Sequence, residues 1–173
     1  LSIVMIVRDE EANLESCLES VIGLWDELIV VDTGSTDRTV EIAKSFGADV
    51  HYFEWEGDFS KARNYSISKA RGNWILWLDA DDCVPKSEHL LIKELSVETS
   101  NERMTSSKAY GFRIQNSTDN GATGAIFNQI RMFPNNRGLE FEGRVHEQLM
   151  PSIQSLKMAV EFVPIKVLHT GYT

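Results

Sequence analysis

Residues 74–82 read Trp-Ile-Leu-Trp-Leu-Asp-Ala-Asp-Asp. The first five are apolar without alternation. The strand they predict over 74–78 is therefore buried on both faces, as in the middle of a parallel sheet covered by helices. The run stops abruptly at Asp79, and Asp81 and Asp82 follow at once. Two earlier apolar runs end the same way. Residues 2–7 (Ser-Ile-Val-Met-Ile-Val) lead into Arg8-Asp9-Glu10, and residues 28–31 (Leu-Ile-Val-Val) lead into Asp32-Thr33-Gly34-Ser35.

Helical patterns separate these strands. Leu14, Cys17, Leu18, Val21 and Ile22 stand at helical spacing. Ser35 or Thr36 is placed to cap a helix running to about Phe46, which Gly47 ends. Residues 48–53 read as a third, more exposed strand. Phe59, Ala62, Ile67 and Ala70 predict a helix over about 58–71, closed by Gly72. Strand and helix thus alternate three times, which defines an α/β fold with an open, mostly parallel, Rossmann-like central sheet flanked by helices.

After Pro85 the rhythm changes. A helix over about 87–98 and a polar stretch over 99–108 precede three strand-like runs at 109–115, 125–133 and 160–168, with no long helix between them. The chain therefore reads as a nucleotide-binding half, 1–86, and a strand-rich C-terminal half, 87–173, sharing one sheet. Leu1 opens almost directly into a strand, so the expectation is one domain, 1–173, excised from a longer protein. The loops at 99–108 and 116–124 are candidates for a lid.

The 173 residues are 42% hydrophobic and 25% charged, enough for a sizeable core. The net charge is −9, and residues 1–87 carry the whole excess, with 17 acids against 8 bases. That balance excludes a nucleic-acid phosphate-backbone binder, which needs a basic face. It does not exclude a nucleotide whose charge is met by a bound cation and a few arginines. Cys17 and Cys83 are too few for a disulfide framework, and the expected setting is reducing and cytoplasmic. No apolar run reaches the roughly 20 residues that span a bilayer.

In open parallel sheets, ligands bind beyond the carboxyl ends of the strands. The three polar clusters therefore belong on one rim. Three carboxylates at 79, 81 and 82 repel one another unless protons or a cation offset their charge. Hard divalent cations, Mg²⁺ or Mn²⁺, take carboxylate oxygens together with substrate phosphates. A metal diphosphate suits this rim, and a solvated acidic turn is the plainer alternative.

With these segments in place, the sequence resembles the inverting glycosyltransferases of family 2, which have the GT-A fold. The resemblance covers essentially the whole chain. It rests on Val30-Val31-Asp32-Thr33-Gly34-Ser35-Thr36-Asp37, Ala62-Arg63-Asn64, Leu78-Asp79-Ala80-Asp81-Asp82, Gly143-Arg144-Val145-His146-Glu147 and His169-Thr170-Gly171-Tyr172. The last two segments look most like the branch holding lipopolysaccharide-core β-glucosyltransferases and bacterial enzymes found beside helical-repeat domains.

The resemblance implies a nucleotide-sugar donor, UDP-linked, a divalent metal, Mn²⁺ or Mg²⁺, and a single displacement with inversion. The acceptor would be a saccharide, a lipid-linked molecule or a protein, on the side of residues 87–173. Carried over by position, Asp32 would bind the base, Arg63 would line the base or diphosphate pocket, and Asp79 would stand near the ribose or sugar. Val7 to Glu10 would border the nucleoside. Asp81 would ligate the metal, with His169 as a further ligand. Glu147 would be the general base, with Glu142 and Asp82 in reserve. Apart from the resemblance, His146 is placed to orient Glu147 or touch a phosphate, with packing as its alternative, and Trp55 at a loop edge is placed to stack on a base or sugar. Each has a structural alternative: a turn cap for Asp32, a solvated helical arginine for Arg63, a surface acid for Glu147 and a packed strand-end histidine for His169. Trp74 and Trp77 read as core.

Two other functions fit parts of the pattern. One is a nucleotide-sugar-binding module or scaffold without turnover. The other is a haloacid dehalogenase-type phosphatase, whose Asp-x-Asp normally ends the opening strand. Here that pair comes only after three α/β units. The expected location is the cytoplasm, or peripherally the inner membrane.

Overall fold

A computed structural model describes residues 1–98, 108–117 and 123–170. In chain order the elements are β1 (Ser2–Val7), α1 (Leu14–Ser20), β2 (Glu27–Asp32), α2 (Thr39–Ser45), β3 (Asp49–Tyr52), α3 (Phe59–Lys69), β4 (Trp74–Trp77) and β5 (Asp82–Cys83). They continue with α4 (His89–Glu98), β6 (Lys108–Ser117), β7 (Thr123–Pro134), α5 (Met150–Ser155) and β8 (Ala159–His169).

All the strands join one eight-stranded sheet in the order β3-β2-β1-β4-β7-β6-β8-β5. The first four are parallel to one another, as the alternating strand and helix patterns require. Antiparallel pairing enters at β4–β7, β6–β7 and β5–β8, while β6–β8 is again parallel. Only residues 78–81 separate β5 from β4 in the chain, yet β5 stands at the far end of the strand order. The second half of the sheet therefore curls back to the rim where β4 ends.

Alternate side chains along the strands feed two cores. Ile3, Met5, Val30, Leu76, Phe112 and Ile165 pack with α1, α2 and α4 on one face. Val4, Ile29, Val31, Ile75, Trp77 and Phe133 pack on the other face with the 139–149 segment and α5, and Tyr65 and Ile67 of α3 rest against them. Trp74 and Trp77 are buried, as their strand predicts.

Three expected boundaries shift, and one strand was not expected. α2 begins at Thr39 and has no side-chain cap from Ser35 or Thr36. Both hydroxyls are drawn instead to Asp9, and Asp37 accepts the Thr39 N–H. α3 ends at Lys69, with Ala70 already extended, so Gly72 does not close it. A side chain at Gly72 would meet Ser2 Oγ at 2.5 Å, so glycine is needed there for close approach. Residues 86–88 form a separate 3₁₀ turn before α4. Finally, β5 has no counterpart in the sequence pattern, because two residues carry no period. Residues 99–107 and 118–122 of the anticipated lid loops, and 171–173, lie outside the described residues. Residues 108, 116–117 and 123–124 are strand. Among the described residues, no helix is long and apolar enough to cross a membrane.

Candidate active site at the sheet rim

The loops after β1 and β2 are cross-linked. Asp9 N–H donates to Ser35 Oγ at 3.0 Å, and Thr36 N–H donates to Asp9 Oδ1 at 2.7 Å. Glu10 N–H donates to Thr39 Oγ1 at 2.7 Å, and Glu11 N–H to Asp37 at 3.0 Å. These bonds hold Val7, Arg8 and Glu10 as one wall of a cleft of about 620 Å³, which Trp55, Phe59, Arg63, Asp79, Asp81 and His169 also line. Asp32 turns its carboxylate onto its own loop, accepting N–H from Gly34 at 3.1 Å and Ser35 at 3.2 Å. Gly34 has φ +112°, which permits that tight turn. Thr33 is the β2-end residue that lines the cleft.

Beyond β4, charge is balanced in a way the sequence did not disclose. Arg63 donates from Nη2 to Asp79 Oδ1 at 2.8 Å and from Nε to Glu147 Oε1 at 2.6 Å. Arg131, on β7 and 1% exposed, donates from Nη1 to Asp82 Oδ2 at 2.7 Å, with Nη2 at 3.6 Å from Asp79. Both guanidinia stand over the Trp77 ring, at 4.1 Å and 3.9 Å from its centroid. Trp77 holds its own place by donating Nε1–H to the Ile130 carbonyl at 2.7 Å. The repulsion expected among the three carboxylates is thus offset at two of them by buried arginines. Asp79 and Asp82 are the acids so matched, and Asp81 is left facing the cleft with His169.

Burial pushes the Asp79 carboxyl up, but the charges of Arg63 and Arg131 outweigh it and hold the pKa at about 2. Its contribution to stability is present above the unfolded carboxylate value of about 4 and is lost as pH falls toward about 2. Asp81 moves the other way, raised first by burial and then by Asp79 and Asp82, with His169 opposing.

His169 reaches this rim through the β5–β8 pairing, which sets it directly opposite Asp82. Its Nδ1 lies 3.0 Å from Asp82 Oδ1 and 3.4 Å from Asp81 Oδ1. Thr170 clamps the same turn through two bonds to the Asp81 carbonyl. One ligand atom from each of Asp79, Asp81, Asp82 and His169 falls within 4.8 Å of the others. Carboxylate oxygens with an imidazole suit Mn²⁺ well and Mg²⁺ acceptably, so the donor set fits a hard divalent cation. Asp81 and His169 would hold it.

The hydrogen bond that His169 Nδ1 donates to Asp82 raises the His169 pKa, against the effect of burial. A cation needs the neutral imidazole and the ionised Asp81, and both groups hold protons to higher pH than usual. Mn²⁺ affinity is therefore expected to rise about tenfold per pH unit up to the His169 titration and then level off. Calorimetry in buffers of differing ionisation heat checks the released proton, and an affinity flat in pH would remove His169 from the ligand set.

Glu147 comes from a closed loop. Glu142 and Gln148 exchange both backbone hydrogen bonds at 2.9 Å, while Gly143 and His146 take positive φ between them. Phe59 N–H donates to the Arg144 carbonyl, which ties the loop to the start of α3. Asn64 on α3 completes the tie. Its side-chain amide donates to the Phe141 carbonyl at 2.9 Å and accepts the Phe141 N–H at 2.7 Å, as a strand neighbour would. Glu147 does not line the cleft. It lines a second cavity of about 370 Å³ with Trp77, Ile130, Phe141, Leu149 and Phe162. His146, expected beside Glu147, is exposed and lines that same cavity.

Val7, Glu10, Arg63, Asp79, Asp81, His169 and Trp55 therefore converge on one cleft. Asp32 stands behind it in its turn, and Glu147 stands across the Arg63 wall. Of the reserve bases, Asp82 is buried against Arg131, and Glu142 serves the loop through its backbone. The residue missed from sequence is Arg131. Its signal was a cation set between Ile130 and Met132 of a predicted strand, where burial demands an acid. Asn64 was noted within a motif, but its partner lies far along the chain.

Comparison with known proteins agrees with this geometry. Residues 2–92 match the family model Glycosyl transferase family 2. A TPR repeat-containing protein of Synechococcus elongatus is 38% identical over 157 residues, 91% of this chain and 37% of its own length. Glycosyltransferase SunS of Bacillus phage SPbeta is 34% identical over 171 residues, 97% of this chain and 39% of its own. The chain thus spans under two-fifths of the length of these curated relatives. S. aureus TarS 1–349, in complex with UDP-GlcNAc, matches in fold with a TM-score of 0.69 at 16% identity, over 99% of this chain and 58% of that one. The chain belongs to glycosyltransferase family 2, and its curled α/β sheet is the GT-A fold. That membership displaces the phosphatase alternative.

Proposed function

We propose that this chain transfers a sugar from a UDP-linked donor to an acceptor hydroxyl by a metal-assisted, inverting single displacement. The observation that carries the reading is the Arg63 bridge. One buried guanidinium binds Asp79, which lines the cleft, and Glu147, which lines the neighbouring cavity. Donor and acceptor would thus meet across a wall one side chain thick. The S. aureus TarS structures with UDP and UDP-GlcNAc support the uridine donor. The donor half is residues 1–86, joined at its cleft by His169, and the acceptor half is the remainder of 87–173.

In this reading Val7, Arg8 and Glu10 border the nucleoside, and Trp55 offers a ring for stacking. Asp32 acts on the base through the turn it shapes. Asp81 and His169 hold the cation, and a bound Mn²⁺ or Mg²⁺ supplies Lewis-acid stabilisation to the departing diphosphate. Glu147 takes the proton from the acceptor hydroxyl as its oxygen bonds to the anomeric carbon and the bond to diphosphate breaks. Arg63 keeps the Glu147 carboxylate fixed during the attack.

Calorimetry of UDP and GDP, each with Mn²⁺ and again with EDTA, tests the donor site. Metal-dependent binding of UDP is the expected result, and no binding of either nucleotide to folded protein would reject the reading. Asp81→Asn should reduce UDP affinity in Mn²⁺ to the level seen in EDTA, with the melting temperature unchanged. Wild-type affinity in that variant would reject the metal assignment. The reading places the protein in the cytoplasm or at the inner face of the membrane, which cell fractionation checks.

A further inference from the structure

We infer that the second cavity is an acceptor subsite built for the ring of a neutral saccharide; this rests on the transfer reading above. The cavity adjoins Glu147, whose Oε1 is fixed by Arg63. Its floor has an unusual construction. A Cβ at Gly111 on β6 would meet Phe162 Cδ1 at 2.4 Å and Cε1 at 2.6 Å, so the Phe162 ring lies directly over the glycine backbone. The ring is nonetheless 57% exposed. Gly111 also sits where β6 shifts register against both neighbouring strands, which marks the spot as shaped rather than regular sheet.

The polar groups around this ring point to the ligand. Among the described residues, no lysine or arginine lines the cavity, and Glu147 is its one carboxylate. A phosphorylated or otherwise anionic acceptor would meet no permanent positive charge on this lining, whose titratable groups are the imidazole of His146 and the Glu147 carboxylate. Asn128 and Gln148 line the cavity with carboxamides that have no side-chain hydrogen bond among the described residues. Carboxamides offer both donors and acceptors, which match the hydroxyls of a sugar edge. An aromatic face matches the apolar C–H face of a pyranose, burying area that is otherwise left to water. Ring and amides beside a general base thus form a site for one hydroxyl-bearing pyranose.

Saturation-transfer NMR of the protein with Mg²⁺ and UDP, using methyl glycosides of glucose, galactose and N-acetylglucosamine as probes, tests this. Glucose 6-phosphate and an uncharged apolar tripeptide serve as comparisons. At least one neutral glycoside is expected to receive saturation through its C–H face. Phe162→Ser should weaken that binding by at least about tenfold, as removal of an aromatic contact surface does. Leu90→Ser, at an exposed position on α4 remote from the cavity, should leave it unchanged. No saturation of any glycoside, equal saturation in Phe162→Ser, or stronger binding of the phosphorylated sugar or the tripeptide would overturn the inference. A separate UDP titration keeps the two claims apart. UDP binding without glycoside binding defeats the subsite alone, while glycoside binding without UDP binding defeats the transfer reading and leaves the saccharide subsite standing.

Discussion

Glu147→Gln is expected to lower sugar transfer by about 10²- to 10⁴-fold, the range associated with loss of a positioned general base. UDP binding should stay within about twofold of wild type, since no contact in the cleft changes. The substitution is close to isosteric. A glutamine oxygen can still accept the Arg63 Nε–H that Glu147 Oε1 accepts at 2.6 Å, so the loop and the guanidinium keep their places. What is lost is the capacity to take a proton. Single-turnover transfer, measured beside calorimetric UDP affinity, separates the two effects. Transfer at the wild-type rate would show that another group removes the proton.

Arg131→Met is expected to destabilise the fold by about 3–5 kcal/mol, the cost of breaking a buried ion pair on one side. Asp82 has a fully buried side chain and accepts from Arg131 Nη1 at 2.7 Å, from the Asp79 N–H at 2.8 Å and from His169. Without the guanidinium its charge is left in low dielectric beside Asp79 and Asp81. Adding Asp82→Asn to the same variant should recover a large part of the loss, because a neutral amide replaces the stranded charge. Urea unfolding reads both variants through the midpoint at constant slope. A loss below about 1 kcal/mol in the single variant would show that the pair contributes little. If the single variant does not fold, a folded double variant supports the same conclusion.

The parallel core was legible from the sequence because its signals are local. The two-sided apolar run Trp74–Leu78 can be satisfied only in a covered, interior strand, and β4 is found between β1 and β7. Asp32 and Asp79 stood out because each directly follows an apolar run, and Asp81 and Asp82 because they crowd the same turn. Helix ends were read less well. The hydroxyls of Ser35 and Thr36 had two competing partners, their own helix and Asp9, and only the meeting of two loops decided between them.

The site was half legible for a related reason. Sequence alone determined that three strand ends carry acids, that parallel strands gather them on one rim, and that the rim suits a nucleotide held through a cation. It could not say what neutralises those acids. Arg131 lies 49 residues from Asp82, and His169 lies 87 residues from it. Contacts at such separations leave no period in the chain. They depend on β7 pairing with β4 and on a two-residue strand, Asp82–Cys83, closing against the end of β8. The curl of the sheet therefore decided which carboxylates are matched by buried guanidinia, which one faces the cleft, and on which side of Arg63 the Glu147 carboxylate stands.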